Sequence, residues 1–185
     1  MSLKLNLGCG LNKIKGYINI DVEESVTPDL VHDFTKSPLP YGDDMVDEVI
    51  MFHTIEHISK RYHKAILGEI WRVLKPNGKF YCSFPEFNKC VDNWRNNKGG
   101  IKDFWEATIY GRQLYPSDYH VCIMDSHDFS VLLWTLSFTE IANCQEPVEN
   151  YNSIVYCVKG EQLDSYEKQV LQDMSSYVLA DSKPR

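Results

Sequence analysis

Gly8, Cys9 and Gly10, with Asp21 eleven residues beyond the last of them, form a pattern able to hold a nucleotide. Leu3, Leu5 and Leu7 alternate with polar residues as a short strand requires. The two glycines then let the backbone turn sharply and approach a ligand closely. Asp21 ends the next apolar run, and a carboxylate at the carboxyl end of a strand can accept both hydroxyl protons of a ribose. A second constellation, His53-Thr54-Ile55-Glu56-His57, matches the inverted zinc-protease pattern HxxEH. That chemistry needs both histidines on one helical face as metal ligands, with the glutamate as base. Here His53 closes the strand-like run DEVIMF (47–52), so a zinc hydrolase is only a remote alternative. The six cysteines contain no CxxC pair, which argues against structural zinc, and no metal is expected.

The elements that position these residues alternate between strand and helix. Strands are expected at 3–8, 17–21, 29–33, 46–52, 79–84, 138–145 and 153–159. Between the fourth and fifth, Ser59 can cap a helix in which Ile66, Ile70, Val73 and Leu74 share one face, and Pro76-Asn77-Gly78 stops it. Glu56 and His57 are expected to cap or brace this helix. A dinucleotide fingerprint fails, because its third glycine would fall at Lys13 and its ribose acid about ten residues later than Asp21. Leu11 to Gly16 allows at most about one and a half helical turns, so the long helix beneath a pyrophosphate is missing. Glu23 to Thr27 reads as an acidic connector without helical pattern.

At 185 residues the chain suits one sizeable core and is short for two. A net charge of −7 disfavours a nucleic-acid partner, with Lys60-Arg61 the one obvious basic seed. No apolar run approaches a membrane span, and Met1-Ser2-Leu3-Lys4 runs into the first strand without a signal-like core. Cys82 and Cys157 lie in apolar strand-like runs, as buried reduced thiols do, and imply a reducing, cytoplasmic compartment. Residues 87–137 hold Trp94, Phe104, Trp105, Tyr110, Tyr115, Tyr119 and His120 and read as a substrate-lid insertion or a satellite core beneath small helices, or both. Asp125-Ser126 before Asp128 marks a helix start over 128–136. In the tail 161–185, Leu163, Tyr166, Val170, Leu171, Met174, Tyr177 and Val178 recur at helical spacing. That amphipathic helix would pack on its own domain or pair with a second copy in a homodimer.

LNLGCG, the strand-end Asp21, DLVHDFTKSPLP (29–40), VDEVIMFHTIEH (46–57) and EIWRVLKPNGKFYCSFPE (69–86) occur in one order and spacing. In this the chain resembles the class I S-adenosylmethionine-dependent methyltransferases over roughly residues 3–160, most closely the compact bacterial and phage members of the type 11 kind. It departs from them at Asn12, where the family loop GxGxG continues into a long helix. The resemblance implies an α/β fold: a Rossmann-like sheet of about seven mostly parallel strands, an antiparallel strand near one edge, helices on both faces and a shortened first crossover helix. The domain would span 1–160.

The resemblance also implies S-adenosylmethionine as cofactor, touching Leu7, Gly8, Cys9 and Gly10 along the loop, Asp21 at the ribose, Val22, Asp33 and Phe34 around the adenine, and His53 near the methionine moiety. Asp33 has a rival reading as a turn cap before Thr35. Methyl transfer needs an in-line nucleophile and a dry pocket, so most of the barrier reduction comes from positioning. Where the acceptor is a hydroxyl or protonated amine, a group near neutral pKa helps, and His53 and then His120 are the catalytic candidates. The expected acceptor is a small molecule or a sugar. The alternative is an inactive methyltransferase-fold binding or assembly module.

Overall fold

The structure, a computed structural model, describes residues 2–97, 102–114, 118–145 and 151–162. Seven strands form one sheet: β1 (Lys4–Leu7), β2 (Ile18–Asp21), β3 (Leu30–Val31), β4 (Val46–Phe52), β5 (Leu74–Pro85), β6 (Phe138–Gln145) and β7 (Asn152–Lys159). Their order is β3-β2-β1-β4-β5-β7-β6. Pairing is parallel from β3 to β5, and β7 runs antiparallel to both its neighbours. The seven strands match the expected ones to within a residue or two, except that β3 is shorter and β5 starts five residues early.

Leu5, Leu7, Val49, Met51, Phe80, Cys82 and Val155 are buried from end to end of the central strands, as parallel strands covered on both faces require. The chain runs outward from β1 through β2 to β3, then returns to place β4 on the other side of β1. That reversal is a topological switch point, and it opens a crevice beyond the carboxyl ends of β1 and β4. The glycine loop follows β1 and His53 follows β4, so both candidate segments meet there.

Helix α1 (Lys60–Val73) buries His63, Ile66, Leu67, Ile70 and Val73, the stripe that a 3.6-residue period lays on one face. Ser59 stands at its N-cap but makes no side-chain capping bond, contrary to the sequence expectation. Arg72 in its last turn donates to Glu69 and Asp43 and to the carbonyls of Leu39 and Tyr41, tying the 39–43 connector to the helix. The helix ends at Val73 because Leu74 is extended two residues ahead of Pro76. Asn77 then takes a positive φ of 61°, and the β4–β5 register shifts between Val46 and Glu48. The sequence pattern places Leu74 on the helix face and the stop at Pro76-Asn77-Gly78, whereas Leu74 is extended and already pairs with Val46 in β5.

No helix links β1 to β2; residues 8–17 make turns only, and one 3-10 turn (Glu24–Val26) stands in the acidic connector after β2. Side chains do the work of the absent helix. Asn6 and Asn19 are buried on adjacent strands, and Asn6 Nδ2 donates to Asn19 Oδ1 (2.9 Å) and to the Asn12 carbonyl (3.1 Å). Asn19 Oδ1 also accepts from the Ile14 amide at 2.8 Å. Asp29 takes both the backbone and side-chain N–H of Asn19 at 2.8 Å, and these bonds hold its carboxyl below the usual aspartate value. The connector is thereby pinned at Asn12 and Ile14 to strands it never joins as a ladder.

In the insertion, α2 (Phe87–Arg95) and α3 (Lys102–Tyr110) pack together, and Phe104, Trp105 and Tyr151 meet edge to face with centroids 5.0 to 5.7 Å apart. Those aromatics form the satellite core. Helix α4 (Ser126–Thr135) starts two residues before the expected point, capped by Asp125, whose carboxylate accepts from the amides of His127 and Asp128. The apolar stripe 163–178 and Tyr115 lie outside the described residues.

Replacing Asn19 with Leu takes the acceptor from the Ile14 amide and from one N–H of the Asn6 side chain, whose other N–H still reaches the Asn12 carbonyl. The expected loss is about 2–3 kcal/mol, read by urea unfolding, because orphaned buried donors cost roughly 1–3 kcal/mol each. Asp29 titrates below its ordinary value when folded, so its contribution is present above about pH 4 and lost as pH falls through the folded value. The stability drop between about pH 5 and pH 3 is therefore expected to shrink in Asp29→Asn, measured by the same method at each pH.

Candidate active site

Gly8 and Gly10 both take positive φ, 67° and 48°. A Cβ on Gly8 would lie 2.2 Å from Thr54 Cγ2 and 2.4 Å from its Oγ1, while one on Gly10 would meet nothing within 4 Å. Gly8 is thus a packing glycine and Gly10 an open one. Thr54, buried after β4, aims its hydroxyl at the carbonyls of Leu7, Gly8 and Phe52, all 3.1 to 3.2 Å away. It locks the loop after β1 onto the loop after β4.

The loop amides are already committed. The Ile20 carbonyl accepts from Gly8 (2.8 Å) and Cys9 (3.1 Å), and Asp21 Oδ2 accepts from Gly10 (2.8 Å). Asp21 Oδ1 accepts from the Glu23 amide at 2.9 Å. Each carboxylate oxygen keeps a second lone pair, so Asp21 is oriented by the loop and still able to take hydroxyl donors. Beside it Val22 is 58 % exposed, an apolar platform at the crevice. The Cys9 thiol is pushed up, first by burial and then by Asp21, and is no nucleophile.

Asp33 follows the turn-cap reading: Oδ1 accepts from the Thr35 amide (3.0 Å) and hydroxyl (2.5 Å), and Lys36 pairs with Oδ2 at 2.9 Å. These bonds, the Thr35 hydroxyl foremost, hold its carboxyl below the usual range. Phe34 packs partly buried against the core.

His53 sits at φ 50°, a left-handed conformation that non-glycine residues adopt only under constraint. Its amide donates to Ser83 O at 2.9 Å, which fixes the turn. The ring lies with Nδ1 3.4 Å from Glu56 Oε1 and Nε2 3.4 Å from Asn152 Nδ2. Glu56 is 2 % exposed. Instead of bracing α1, residues 55–57 form a 3-10 turn that binds the 119–122 segment: the Glu56 carbonyl accepts from Val121 and Cys122, and His57 Nδ1 lies 3.0 Å from Tyr119 O. The helix that the zinc-protease motif needs is therefore absent at 53–57.

His120 comes to this place from far along the chain, its ring 4.8 Å from that of His57 and set edge-on. Burial is the main cause that lowers its pKa, keeping the ring neutral. His53 and His120 are both brought to one carboxylate, Glu56. Thr54 and Glu56, the residues that couple the site, lay inside the quoted HTIEH run without a signal for their contacts; Asn152, on β7, had none.

Residues 11–82 match a family described as a methyltransferase domain. Over this stretch the chain is similar to that family. A solved S-adenosylmethionine-dependent methyltransferase of Archaeoglobus fulgidus superposes with a TM-score of 0.63 at 13 % identity, covering 85 % of this chain and 86 % of that one. One from Methanosarcina mazei gives 0.58 at 16 % identity, covering 86 % and 92 %. A chain from the complex between the Trm112 methyltransferase activator of Haloferax volcanii and a methyltransferase gives 0.59 at 16 %, covering 88 % and 84 %. No curated protein sequence matches. At these identities the structures speak for the fold, a Rossmann-like methyltransferase sheet. Among the described residues, no helix is long and apolar enough to cross a membrane.

Gly8→Ala is expected to cost several kcal/mol: roughly 1–2 kcal/mol for the left-handed backbone, plus the collision with Thr54. Adding Thr54→Ala removes Cγ2 and Oγ1 from the collision. Thermal unfolding should show the double variant recovering part of the loss, with the backbone share remaining.

Proposed function

We propose that the chain transfers a methyl group from S-adenosylmethionine to a hydroxyl or amine of a small organic molecule or sugar. The observation that carries this reading is Asp21, held by the Gly10 amide at the switch-point crevice with lone pairs to spare. The residues present fit the cofactor. Asp21 would hold the ribose hydroxyls, Val22 and Phe34 the adenine, and Leu7 to Gly10 the methionine portion. With the Gly8, Cys9 and Gly10 amides already donated within the fold, what the loop has to offer is the second lone pair of each carbonyl oxygen, which suits an ammonium better than a carboxylate. Asp33 is spent on its turn and acts through the backbone it shapes.

When bound, S-adenosylmethionine supplies an electrophilic methyl on a sulfonium. The chain's own part is to orient the acceptor, exclude water and take a proton. His53, exposed at the crevice with Glu56 behind Nδ1 and Asn152 beside Nε2, is placed as that base. The 118–124 segment, packed on Glu56 and His57, would cover the acceptor side as a lid.

The absence of a helix between β1 and β2 favours the second reading, a binding module without catalysis. Calorimetry separates the two. Micromolar binding of S-adenosylhomocysteine, weakened about 10- to 100-fold by Asp21→Ala, supports the enzyme, since a hydrogen bond to a charged group is worth about 1.5–3 kcal/mol. Absence of binding at millimolar ligand supports the module.

A further inference from the structure

Glu56 is a buried carboxylate with both oxygens lacking a hydrogen-bond partner. A buried carboxyl group whose oxygens make no hydrogen bond is costly for a fold to carry, and such groups point to an ion, a water or a chemical task. His53 Nδ1 approaches Oε1 only to 3.4 Å, outside hydrogen-bonding geometry. His57 and His120 also stand beside it, and one ligand atom from each of Glu56, His57 and His120 lies within 4.8 Å of the others. Beside them is a void of about 10 Å³, bordered by Glu56, His120, Thr108 and Cys122, about the size of one water or one small ion.

The geometry points to a divalent-cation site made by Glu56, His57 and His120, of the borderline class that takes imidazole and carboxylate together. Two imidazoles and one carboxylate leave coordination positions open, as in catalytic zinc sites and unlike closed structural ones. The surroundings already orient the ligands. The Tyr119 carbonyl, 3.0 Å from His57 Nδ1, favours the tautomer protonated there and leaves Nε2 with its lone pair. The His57 and His120 rings meet edge-on with centroids 4.8 Å apart beside the carboxylate. The three residues come from a turn after β4 and from a segment more than sixty positions later, joined by the Val121 and Cys122 amides on the Glu56 carbonyl. The expectation of no metal rested on cysteine spacing and on the absence of a helix at 53–57; the partner it could not foresee is His120.

The role of such an ion rests on the methyl-transfer reading: an acceptor hydroxyl held at an open position would give up its proton more readily, and His53, on the same carboxylate, would take it. Binding itself does not depend on that reading, and the test keeps them apart. Untagged full-length protein, stripped with chelator, is titrated with Zn²⁺ in competition with a chromophoric chelator, and separately with Co²⁺ for its visible absorption. The expected result is a single equivalent of Zn²⁺, a d–d spectrum of four- or five-coordinate Co²⁺, and a loss of affinity of about tenfold or more in each of Glu56→Gln, His57→Asn and His120→Asn. His127→Asn, at an exposed position of α4, should bind as the parent does. Circular dichroism and S-adenosylhomocysteine calorimetry on every variant report folding and the cofactor site independently. Absence of saturable binding, or binding unchanged in folded Glu56→Gln and His120→Asn, overturns the metal site. Metal binding without S-adenosylhomocysteine binding would retain the site and overturn the methyl-transfer reading.

Discussion

The site depends on one constraint: ten residues separate β1 from β2, and they form no helix. In a nucleotide fold the first crossover helix both packs on the sheet and presents its amino terminus to the ligand. Here the loop must be held by other means. Asn19 supplies them, with its side chain taking the Asn6 amide and the Ile14 amide on one oxygen and giving its own N–H groups to neighbours that include Asp29. Asp21 does the same for Gly10. The amides of Gly8, Cys9 and Gly10 are consumed in this bracing, and their carbonyls accept from Thr54, Asn12 and the Cys9 thiol while each keeps a second lone pair.

A second coupling runs across the sheet. Thr54 fills the space that only a glycine at position 8 leaves free, so the loops after β1 and β4 share one packing solution. The turn that brings Thr54 there forces His53 into a positive φ and puts Glu56 under the insertion, away from water. Strain at His53, burial of Glu56 and closeness of Gly8 to β4 are consequences of the same tight turn. The carboxylate then has His53 toward the crevice and His57 with His120 toward the insertion. Proton handling and any ion binding would therefore converge on Glu56.

Much of this was legible in the sequence where local pattern decides structure. β1, β2, β4 and β7, and the buried face of α1, follow from alternation and the 3.6-residue period; the short connector follows from counting residues between Gly10 and Tyr17. The family resemblance supplied the mostly parallel sheet with an antiparallel strand near one edge. What could not be read is what arises only when distant segments meet. Nothing near Gly8 announces Thr54, and nothing in HTIEH announces His120, because the reversal through α2 and α3 that joins them is set by the aromatic cluster at Tyr151. The Asn6–Asn19–Asp29 network was hidden for a related reason: buried asparagines look like interruptions in apolar strands until both strands are paired. Asp33 shows the converse, a residue whose turn-capping role was legible beside the cofactor role and whose geometry follows the former.

The central claim is that a glycine loop braced by side chains, without a crossover helix, is a working S-adenosylmethionine site. A crystal structure of the full chain with S-adenosylhomocysteine tests it most directly. The account predicts ribose hydroxyls within hydrogen-bond distance of Asp21 and the adenine against Val22, with the bonds from Gly10 to Asp21 and from Ile14 to Asn19 unchanged. Ligand bound away from Asp21, or a loop that must break those two bonds to admit it, would contradict the account.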